Sequence, residues 1–276
     1  MPDHPDSERM LANATSTIDR RDAEILLAAA WGRSRSQLLT AAGEPVPGEV
    51  AARFEDACRQ RADGVPVAYL LGSREFWSLP FTVNSAVLVP RPETELLVQR
   101  VLDLVPGSVA DVADLGTGSG AIAIALAHER PGWRVLGTDA SDLALAVARA
   151  NGERLADSRV EWASGDWYAA LAGRQFDALV SNPPYVAADD PVLGADGLRH
   201  EPRDALTPGG DGYASLVTLI NGAPGHLRSG GWLVLEHGSS QAPKLRALLV
   251  ARGFTAVTSH RDLAGHERVT EGKLAP

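Results

Sequence analysis

From about residue 109 to its end, the chain alternates short apolar runs with longer segments of helical periodicity. Short apolar runs bounded by turn residues predict buried strands, and the longer periodic segments predict helices. The predicted strands are 109–115, 134–138, 160–163, 176–181 and 232–236, with two short ones near 255–259 and 268–270; the predicted helices are 121–128, 143–151, 213–227 and 243–252. Alternation of this kind predicts an α/β fold with a doubly wound, mostly parallel sheet.

The first part of the chain has a different pattern. Three helices are predicted, from about Asp22, over 36–41 and over 50–62, whereas the polar residues 1–18 show no period and predict a loose terminus. Residues 65–89 are β-prone and interrupted by turn residues, which favours a β-hairpin. We therefore expect a helical domain over 1–72, a hairpin linker over 73–90 and a larger domain over 91–276. The helical domain either caps the larger one or docks a macromolecular substrate, and both remain open at this point.

Composition narrows the possible functions. The 276 residues carry a formal net charge of −9 with a pI near 5.3, which argues against a nucleic-acid-binding surface for the chain as a whole. A single cysteine, Cys58, rules out an intramolecular disulfide and fits a reducing cytoplasm, where we expect the protein to act. No apolar run is long enough to span a membrane, and no cysteine–histidine cluster has zinc-site spacing.

A glycine-rich turn follows the first predicted strand. The segment Asp114-Leu115-Gly116-Thr117-Gly118-Ser119-Gly120 would let the backbone approach a ligand closely, with a helix N-terminus beside it. Gly116, Gly118 and Ala121 also match the spacing of the dinucleotide-binding fingerprint. The turn therefore leaves NAD and S-adenosylmethionine both open, and a tight strand-to-helix turn without a ligand is the alternative.

Acidic residues follow the next two predicted strands. Asp139 lies about 20 residues after Gly116, where a carboxylate can accept hydrogen bonds from both ribose hydroxyls of such a ligand. Asp166 and Trp167 follow the third strand, where an acid can accept from an adenine amine and an indole can stack on the ring. The alternatives are a helix N-cap for Asp139 and a buried core side chain for Trp167.

Asn182-Pro183-Pro184-Tyr185 follows the fourth predicted strand. Prolines have a fixed φ and no N–H, so they offer carbonyl oxygens on a stiff backbone, and the Asn182 side chain adds one more acceptor. Two rigid acceptors can bind both hydrogens of a planar –NH2 group and leave the nitrogen lone pair facing an activated methyl group. Tyr185 adds a flat face with a polar tip. The motif favours an amino-methyltransferase, and the alternative is a Pro-Pro turn capped by asparagine.

All four motifs are predicted at the carboxyl ends of strands, the edge at which open α/β sheets bind their ligands. A hydride-transferring enzyme has no use for an amine-binding motif after the fourth strand. The combination therefore favours S-adenosylmethionine over NAD.

The chain closely resembles the release-factor glutamine methyltransferases, the PrmC/HemK family, over nearly its whole length. The resemblance is carried by the motifs at 114–120 and 181–185 and by four further segments, REFWSLP at 74–80, PRPETE at 90–95, LEHG at 235–238 and ERVT at 267–270. The Asn-Pro-Pro-Tyr motif is shared with DNA adenine methyltransferases, whereas the two segments before residue 96 are more specific. The resemblance implies a seven-stranded, Rossmann-like class I methyltransferase sheet with an antiparallel last strand. It also implies a five-helix-like N-terminal domain that docks release factors.

The same resemblance implies what the motif residues do. The implied reaction moves a methyl group from S-adenosylmethionine to the side-chain nitrogen (N5) of the glutamine in the Gly-Gly-Gln motif of class I peptide chain release factors, leaving S-adenosylhomocysteine. The residues implied to contact the cofactor are Gly116, Thr117, Gly118, Ser119, Gly120, Asp139, Trp167 and Asn182. Those implied to bind the glutamine amide are Asn182, Pro183, Pro184 and Tyr185, of which Asn182, Pro183 and Tyr185 are the expected catalytic residues. Arg91 and Glu95 are implied to line the same pocket.

The sequence disfavours three other functions. A DNA or RNA adenine-N6 methyltransferase would bind its amine in the same way but would have to flip the base, and the acidic charge balance counts against it. A non-catalytic S-adenosylmethionine-binding adaptor has no need for an intact Asn182–Tyr185 segment, and a nicotinamide oxidoreductase is disfavoured by it. We expect a monomer that acts on a protein substrate, with no metal and with no nucleic-acid or membrane partner.

Overall fold

The computed structural model describes residues 6–40, 42–157 and 159–275, and the chain forms two compact units. The first unit consists of the described residues up to Ser73 together with Gly194–His200. The second consists of Arg74–Leu193 and the described residues from Glu201 onwards. None of the described helices is both long and apolar enough to cross a membrane.

The first unit is helical. Its described residues form α1 (Ser7–Ala14), α2 (Arg20–Trp31), α3 (Arg35–Thr40), α4 (Gly48–Ala62) and α5 (Val67–Leu71). Their apolar faces share one core, in which Leu27 and Phe54 are almost completely buried. In the same unit, Gly197 N donates to Gly64 O at 2.9 Å, which attaches the 194–200 segment to the end of α4.

Two expectations for this region are wrong. Residues 7–14 form a helix rather than a loose terminus, because the Asp6 side chain caps it by accepting from Arg9 N and because Met10 and Leu11 are buried. The first five residues of that expectation lie outside the described part of the chain. Residues 67–71, expected within a β-prone stretch, form α5, a single short helix that is too brief for sequence periodicity to detect.

The predicted β-hairpin is present. Strands β1 (Ser73–Phe76) and β2 (Leu79–Thr82) pair in a two-stranded sheet. The two residues between them, Trp77 and Ser78, have φ of 53° and 57°, as the type I′ turn of a two-residue hairpin requires. The Glu95 side chain accepts a hydrogen bond of 2.7 Å from Trp77 N and so stabilises this strained turn.

A seven-stranded sheet forms the centre of the second unit. Its strands are β3 (Asp111–Leu115), β4 (Arg134–Asp139), β5 (Val160–Ser164), β6 (Phe176–Ser181), β7 (Leu227–Glu236), β8 (Phe254–Arg261) and β9 (Glu267–Leu274), in the order β5-β4-β3-β6-β7-β9-β8. Every pair is parallel except the two made by β9, which lies antiparallel between β7 and β8. The predicted seven-stranded methyltransferase sheet with an antiparallel last strand is thus confirmed. The chain reverses its winding direction at β3, which is where such sheets open a crevice for a ligand.

Helices cover both faces of this sheet. They are α6 (Glu95–Leu104), α7 (Ala121–Glu129), α8 (Asp142–Leu155), α9 (Arg203–Leu206), α10 (Ala214–Gly222) and α11 (Ala242–Ala251). Helix α7 has no polar face because it is enclosed by α6, α8 and the sheet, and its apolar residues are buried all round. One core contains α6, α7 and the hairpin's Phe76 and Phe81, and the other contains α10 and α11.

The boundary between α10 and β7 differs from the prediction. Residues 213–227 were expected to form one helix, but the helix ends at Gly222 and a 3-10 turn containing Pro224 follows, since proline cannot continue the helix. Strand β7 begins at Leu227, five residues before the predicted start. The glycines at 230 and 231 interrupt the apolar pattern there, which explains why the sequence did not reveal the start of the strand.

Candidate active site

The glycine-rich turn after β3 is attached to the end of the neighbouring strand. The N–H groups of Gly116 and Thr117 both donate to the carbonyl of Thr138, at 2.9 and 2.8 Å. The Asp139 carboxylate accepts from Gly118 N and from Ser141 N, both at 2.9 Å. Since a carboxylate offers about four acceptor positions, Asp139 can still accept hydrogen bonds from a ligand.

A buried carboxyl group lies beneath the turn. Asp114 is completely buried, and the Thr117 hydroxyl donates to its Oδ2 at 2.5 Å. Burial raises the pKa of Asp114 to about 7, and the hydrogen bond from Thr117 only partly opposes this shift. The turn therefore rests on a carboxyl group that changes its charge near neutral pH.

These motifs surround a cavity of about 440 Å³, a size typical of small-molecule sites. Of the residues predicted to bind cofactor or substrate, the wall contains Gly116, Thr117, Gly118, Ser119, Asp139, Trp167, Asn182 and Pro184. Gly120, Pro183 and Tyr185 are not part of that wall. The wall also includes Asp166 and several residues for which the sequence predicted no role, among them Thr94, Pro202, Asp204 and Ala205.

Two tryptophans pack against glycines in and around the glycine-rich turn. The Trp167 ring lies against Gly116, and a Cβ on that glycine would be 3.6 Å from it. Trp162, which the sequence did not single out, lies in a slot lined by Gly120, Gly137 and Gly152. A Cβ on Gly120 or Gly152 would lie 2.9 Å from the Trp162 ring, so these glycines leave the space that the indole occupies.

Asn182 is held by a residue from a distant part of the chain. Its Nδ2 donates to the Thr94 hydroxyl oxygen at 3.2 Å, and its side chain lines the cavity. Among the described residues no donor bonds its Oδ1. Asn182 therefore presents an acceptor for the hydrogens of a bound amine or amide.

Tyr185 is held by a carboxylate from a later strand. Its hydroxyl donates to Glu236 Oε1 at 3.3 Å, at the carboxyl end of β7. Glu236 is only 1% exposed, and burial raises its pKa to about 7, against the opposing effects of Thr94, Arg268 and Tyr185. Burial and the neighbouring Glu236 raise the pKa of Tyr185 well above its usual value, so the phenol stays a hydrogen-bond donor.

The side chains of the PRPETE segment, residues 90–95, have two different surroundings. Arg91 lies in the cavity wall, where its guanidinium pairs with the buried Glu201 carboxylate at 2.5 Å. Glu201 also accepts from Val89 N at 3.0 Å, so it fixes both the backbone and the side chain of this segment. Glu95, predicted to line the pocket with Arg91, instead bonds the hairpin turn at Trp77 and is absent from the cavity wall.

The arrangement fits S-adenosylmethionine. A Cβ on Gly118 would meet no atom within 4 Å, so the backbone there borders open space that a ligand can approach closely. Asp139 has acceptor positions for ribose hydroxyls, and Trp167 offers an aromatic face. Within the described residues no cluster of three or more His, Cys, Asp or Glu side chains could hold a metal ion.

The class of protein is indicated by a match to a known family and by a shared fold. Residues 92–214 match the family model described as a methyltransferase small domain. A solved methyltransferase from Pyrococcus furiosus shares the fold, with a TM-score of 0.54 and 19% identity over 82% of this chain and 98% of its own. The family match defines a methyltransferase, and the cavity fits S-adenosylmethionine as its methyl donor, as the sequence predicted.

The family follows from closer relatives. Residues 6–72 match the model of the PrmC N-terminal domain. The release factor glutamine methyltransferase of Xylella fastidiosa is 48% identical over 98% of both chains, and that of Pseudomonas aeruginosa is 48% identical over 93% of both. The chain belongs to the family of release factor glutamine methyltransferases, which confirms the predicted family.

Proposed function

We propose that this protein transfers a methyl group from S-adenosylmethionine to the side-chain nitrogen (N5) of the glutamine in the Gly-Gly-Gln motif of class I peptide chain release factors. The names of its relatives support this substrate. The observation that carries the chemistry is the orientation of Asn182, whose amide nitrogen is bonded to Thr94, which leaves its oxygen to accept from the substrate amide.

The residues of the Asn182–Tyr185 segment position the amide. Asn182 Oδ1 and the Pro183 carbonyl accept its two hydrogens, while Pro184 lines the cavity beside them and Tyr185 packs on the amide plane, held by its bond to Glu236. Bound S-adenosylmethionine supplies an electrophilic methyl group on a sulfonium sulfur. Transfer would replace the bond between the methyl carbon and sulfur with a bond to the substrate nitrogen, which would then release a proton to water. No strong base is needed before transfer, because the methylated amide loses its proton readily. Positioning carries most of the rate, since near-attack geometry can contribute roughly 7–11 kcal/mol.

The proposal assigns the cofactor to the opposite part of the cavity wall. Asp139 would accept from the ribose hydroxyls, Asp166 from the adenine amine, and Trp167 would stack on the adenine ring. The glycine turn, from Gly116 to Gly120, would follow the rest of the molecule with its backbone. Asn182 would contact both cofactor and substrate.

The test uses radiolabelled S-adenosylmethionine and an unmethylated class I release factor. A second sample carries Gln→Ala in the Gly-Gly-Gln motif, and a third contains DNA in place of protein. Label on the glutamine form alone supports the proposal. Label on DNA would favour the adenine-N6 alternative, and label on neither would refute the proposed substrate. An Asn182→Ala enzyme with near-normal turnover would refute the proposed role of the amide acceptor.

The proposal extends to the organisation of the protein. It includes a release-factor-docking domain over 1–72, a hairpin linker over 73–90 and a catalytic domain over 91–276, the second and third of which contain every residue assigned above. It also includes a monomer that acts in the cytoplasm without a nucleic-acid or membrane partner. Light scattering on the purified protein, with and without release factor, measures the oligomeric state, and a stable dimer would contradict it.

A further inference from the structure

The orientation of the Asn182 side chain needs a physical cause. A primary amide has almost the same shape when its oxygen and nitrogen exchange places, but only one orientation offers an acceptor to the substrate. The reversed amide would direct its own NH2 group at the NH2 group of the glutamine. The bond from Asn182 Nδ2 to Thr94 Oγ1, at 3.2 Å, stabilises the productive orientation. A hydroxyl can donate as well as accept, however, so Thr94 alone does not determine which end of the amide faces it.

The group beyond Thr94 removes this ambiguity. Thr94 is 4% exposed and Glu236 is 1% exposed, so water does not compete freely for their hydrogen bonds. Glu236 Oε1 accepts from the Tyr185 hydroxyl at 3.3 Å. Its Oε2 is buried and has no hydrogen-bond partner among the described residues. The Thr94 hydroxyl is the nearby group that most opposes the rise in the pKa of Glu236, so it is the candidate donor to this oxygen. Above its pKa of about 7, Glu236 is an ionised carboxylate that can only accept, so it orients the Thr94 hydrogen toward itself.

We propose that Thr94 and Glu236 are positioning residues which together fix the acceptor orientation of Asn182. Glu236 accepts the Thr94 hydrogen, the Thr94 oxygen then accepts from Asn182 Nδ2, and Asn182 Oδ1 is left for the substrate amide. The same carboxylate holds the Tyr185 hydroxyl, so one buried group aligns both side chains of the Asn182–Tyr185 segment. This inference rests on the proposed function, because it concerns how the same amide is held.

Three variants test the chain of hydrogen bonds. Thr94→Val keeps the shape of the side chain but removes the hydroxyl, whereas Thr94→Ser keeps the hydroxyl. The Glu236→Gln side chain can donate to Thr94, which would allow the hydrogen bonds between residue 236, Thr94 and Asn182 to reverse their direction. We expect Thr94→Val and Glu236→Gln to lower kcat roughly 10- to 100-fold, as expected for one misdirected buried hydrogen bond. Thr94→Ser should recover most of that loss, and the Kd for S-adenosylhomocysteine should change little in all three.

A double variant shows whether Glu236 and Thr94 affect kcat through one connected series of hydrogen bonds or independently of each other. If Glu236 acts on Asn182 through Thr94, Glu236→Gln should cost much less kcat in the Thr94→Val background than in the wild type. The matched control is Glu271→Gln, which changes another buried glutamate of the sheet, bonded to Arg100 and outside the cavity wall. It should lower the unfolding temperature but not kcat.

Nuclear Overhauser contacts give a readout that does not depend on the substrate. In the wild type, the Asn182 amide protons should contact the Thr94 side chain, and this contact should weaken in Glu236→Gln. A missing contact in the wild type, unchanged kcat in Thr94→Val, or equal Glu236→Gln costs in both backgrounds would overturn the inference. If the contact is present and the wild type does not methylate the glutamine, the proposed function fails while the orientation stands.

Discussion

Gly118 and Gly120 lie two residues apart in the turn after β3, and alanine at each should impair a different property. Both have positive φ, +55° and +83°, so alanine at either costs about 1–2 kcal/mol of conformational energy. A Cβ on Gly118 would meet no protein atom within 4 Å, and this residue lines the cavity. A Cβ on Gly120 would lie 2.9 Å from the Trp162 ring and 3.0 Å from Ile124 Cδ1.

These distances set the expected magnitudes. Gly120→Ala adds an overpacking cost of about 1–3 kcal/mol to the conformational one, for a total loss of stability of about 2–5 kcal/mol. Gly118→Ala should lose only the conformational part, about 1–2 kcal/mol. Its methyl group instead occupies space available to the cofactor, and a clash of about 1–3 kcal/mol would raise the Kd for S-adenosylhomocysteine roughly 5- to 150-fold.

Urea unfolding followed by circular dichroism measures the first effect, and titration calorimetry with S-adenosylhomocysteine measures the second. Gly173→Ala is the control for the conformational cost, since this glycine has φ of +75°, no atom near its Cβ position and no place in the cavity wall. The reasoning is refuted if Gly120→Ala is no less stable than Gly118→Ala. It is equally refuted if Gly118→Ala binds the ligand with wild-type affinity.

Three further changes concern carboxylates of the second unit. Asp139→Asn leaves one of the two backbone N–H groups facing an amide NH2. The Kd for S-adenosylhomocysteine, measured by calorimetry, should therefore rise roughly 10- to 100-fold. The control Asp142→Asn, at an exposed position, should not change this Kd. Burial raises the folded-state pKa of Asp114 to about 7 from its model-compound value of 3.8, so its protonation stabilises the fold fully below about pH 4 and this contribution is lost as pH rises through 7. Asp114→Asn should therefore match the wild type near pH 4 and exceed it in urea unfolding by up to about 4 kcal/mol at pH 8, and equal stability at pH 8 would contradict the burial argument. Asp111 accepts hydrogen bonds from Arg134 and Arg228, which lower its pKa. Asp111→Asn should therefore lower the free energy of unfolding by about 1–3 kcal/mol at pH 7, and by progressively less as acid protonates the wild-type carboxylate. A difference in stability that does not depend on pH would contradict this.

The sequence was informative wherever a feature is local. A buried strand is a short apolar run, and the glycines and prolines of the following turn come within the next few residues. Neighbouring residues in the sequence were therefore enough to predict the sheet, the glycine-rich turn and the Asn182–Tyr185 motif. Strand β7 escaped detection where two glycines interrupt its pattern, and α5 where one helical turn is too short to show a period. Both failures have the same cause, since neighbouring strands and packing stabilise these segments more than their own composition does.

The side chains that orient the site could not be found in the same way, because they come from distant parts of the chain. Thr94 and Asn182 are 88 residues apart, and Tyr185 and Glu236 are 51 apart, so no spacing rule connects them. Glu236 lies in the LEHG segment that contributed to the family resemblance, yet nothing in that segment states which neighbour its carboxylate binds.

The PRPETE segment shows why a motif alone does not assign roles. Arg91, Thr94 and Glu95 are nearly consecutive, but the segment enters a 3-10 turn at Pro92 and continues directly into α6, so neighbouring side chains point in different directions. Arg91 and Thr94 face the cavity, whereas Glu95 satisfies the N–H of Trp77 in the hairpin turn. The resemblance implies that Glu95 lines the pocket, whereas its partner in the structure is the strained hairpin turn. Only the geometry of the fold distinguishes the two roles.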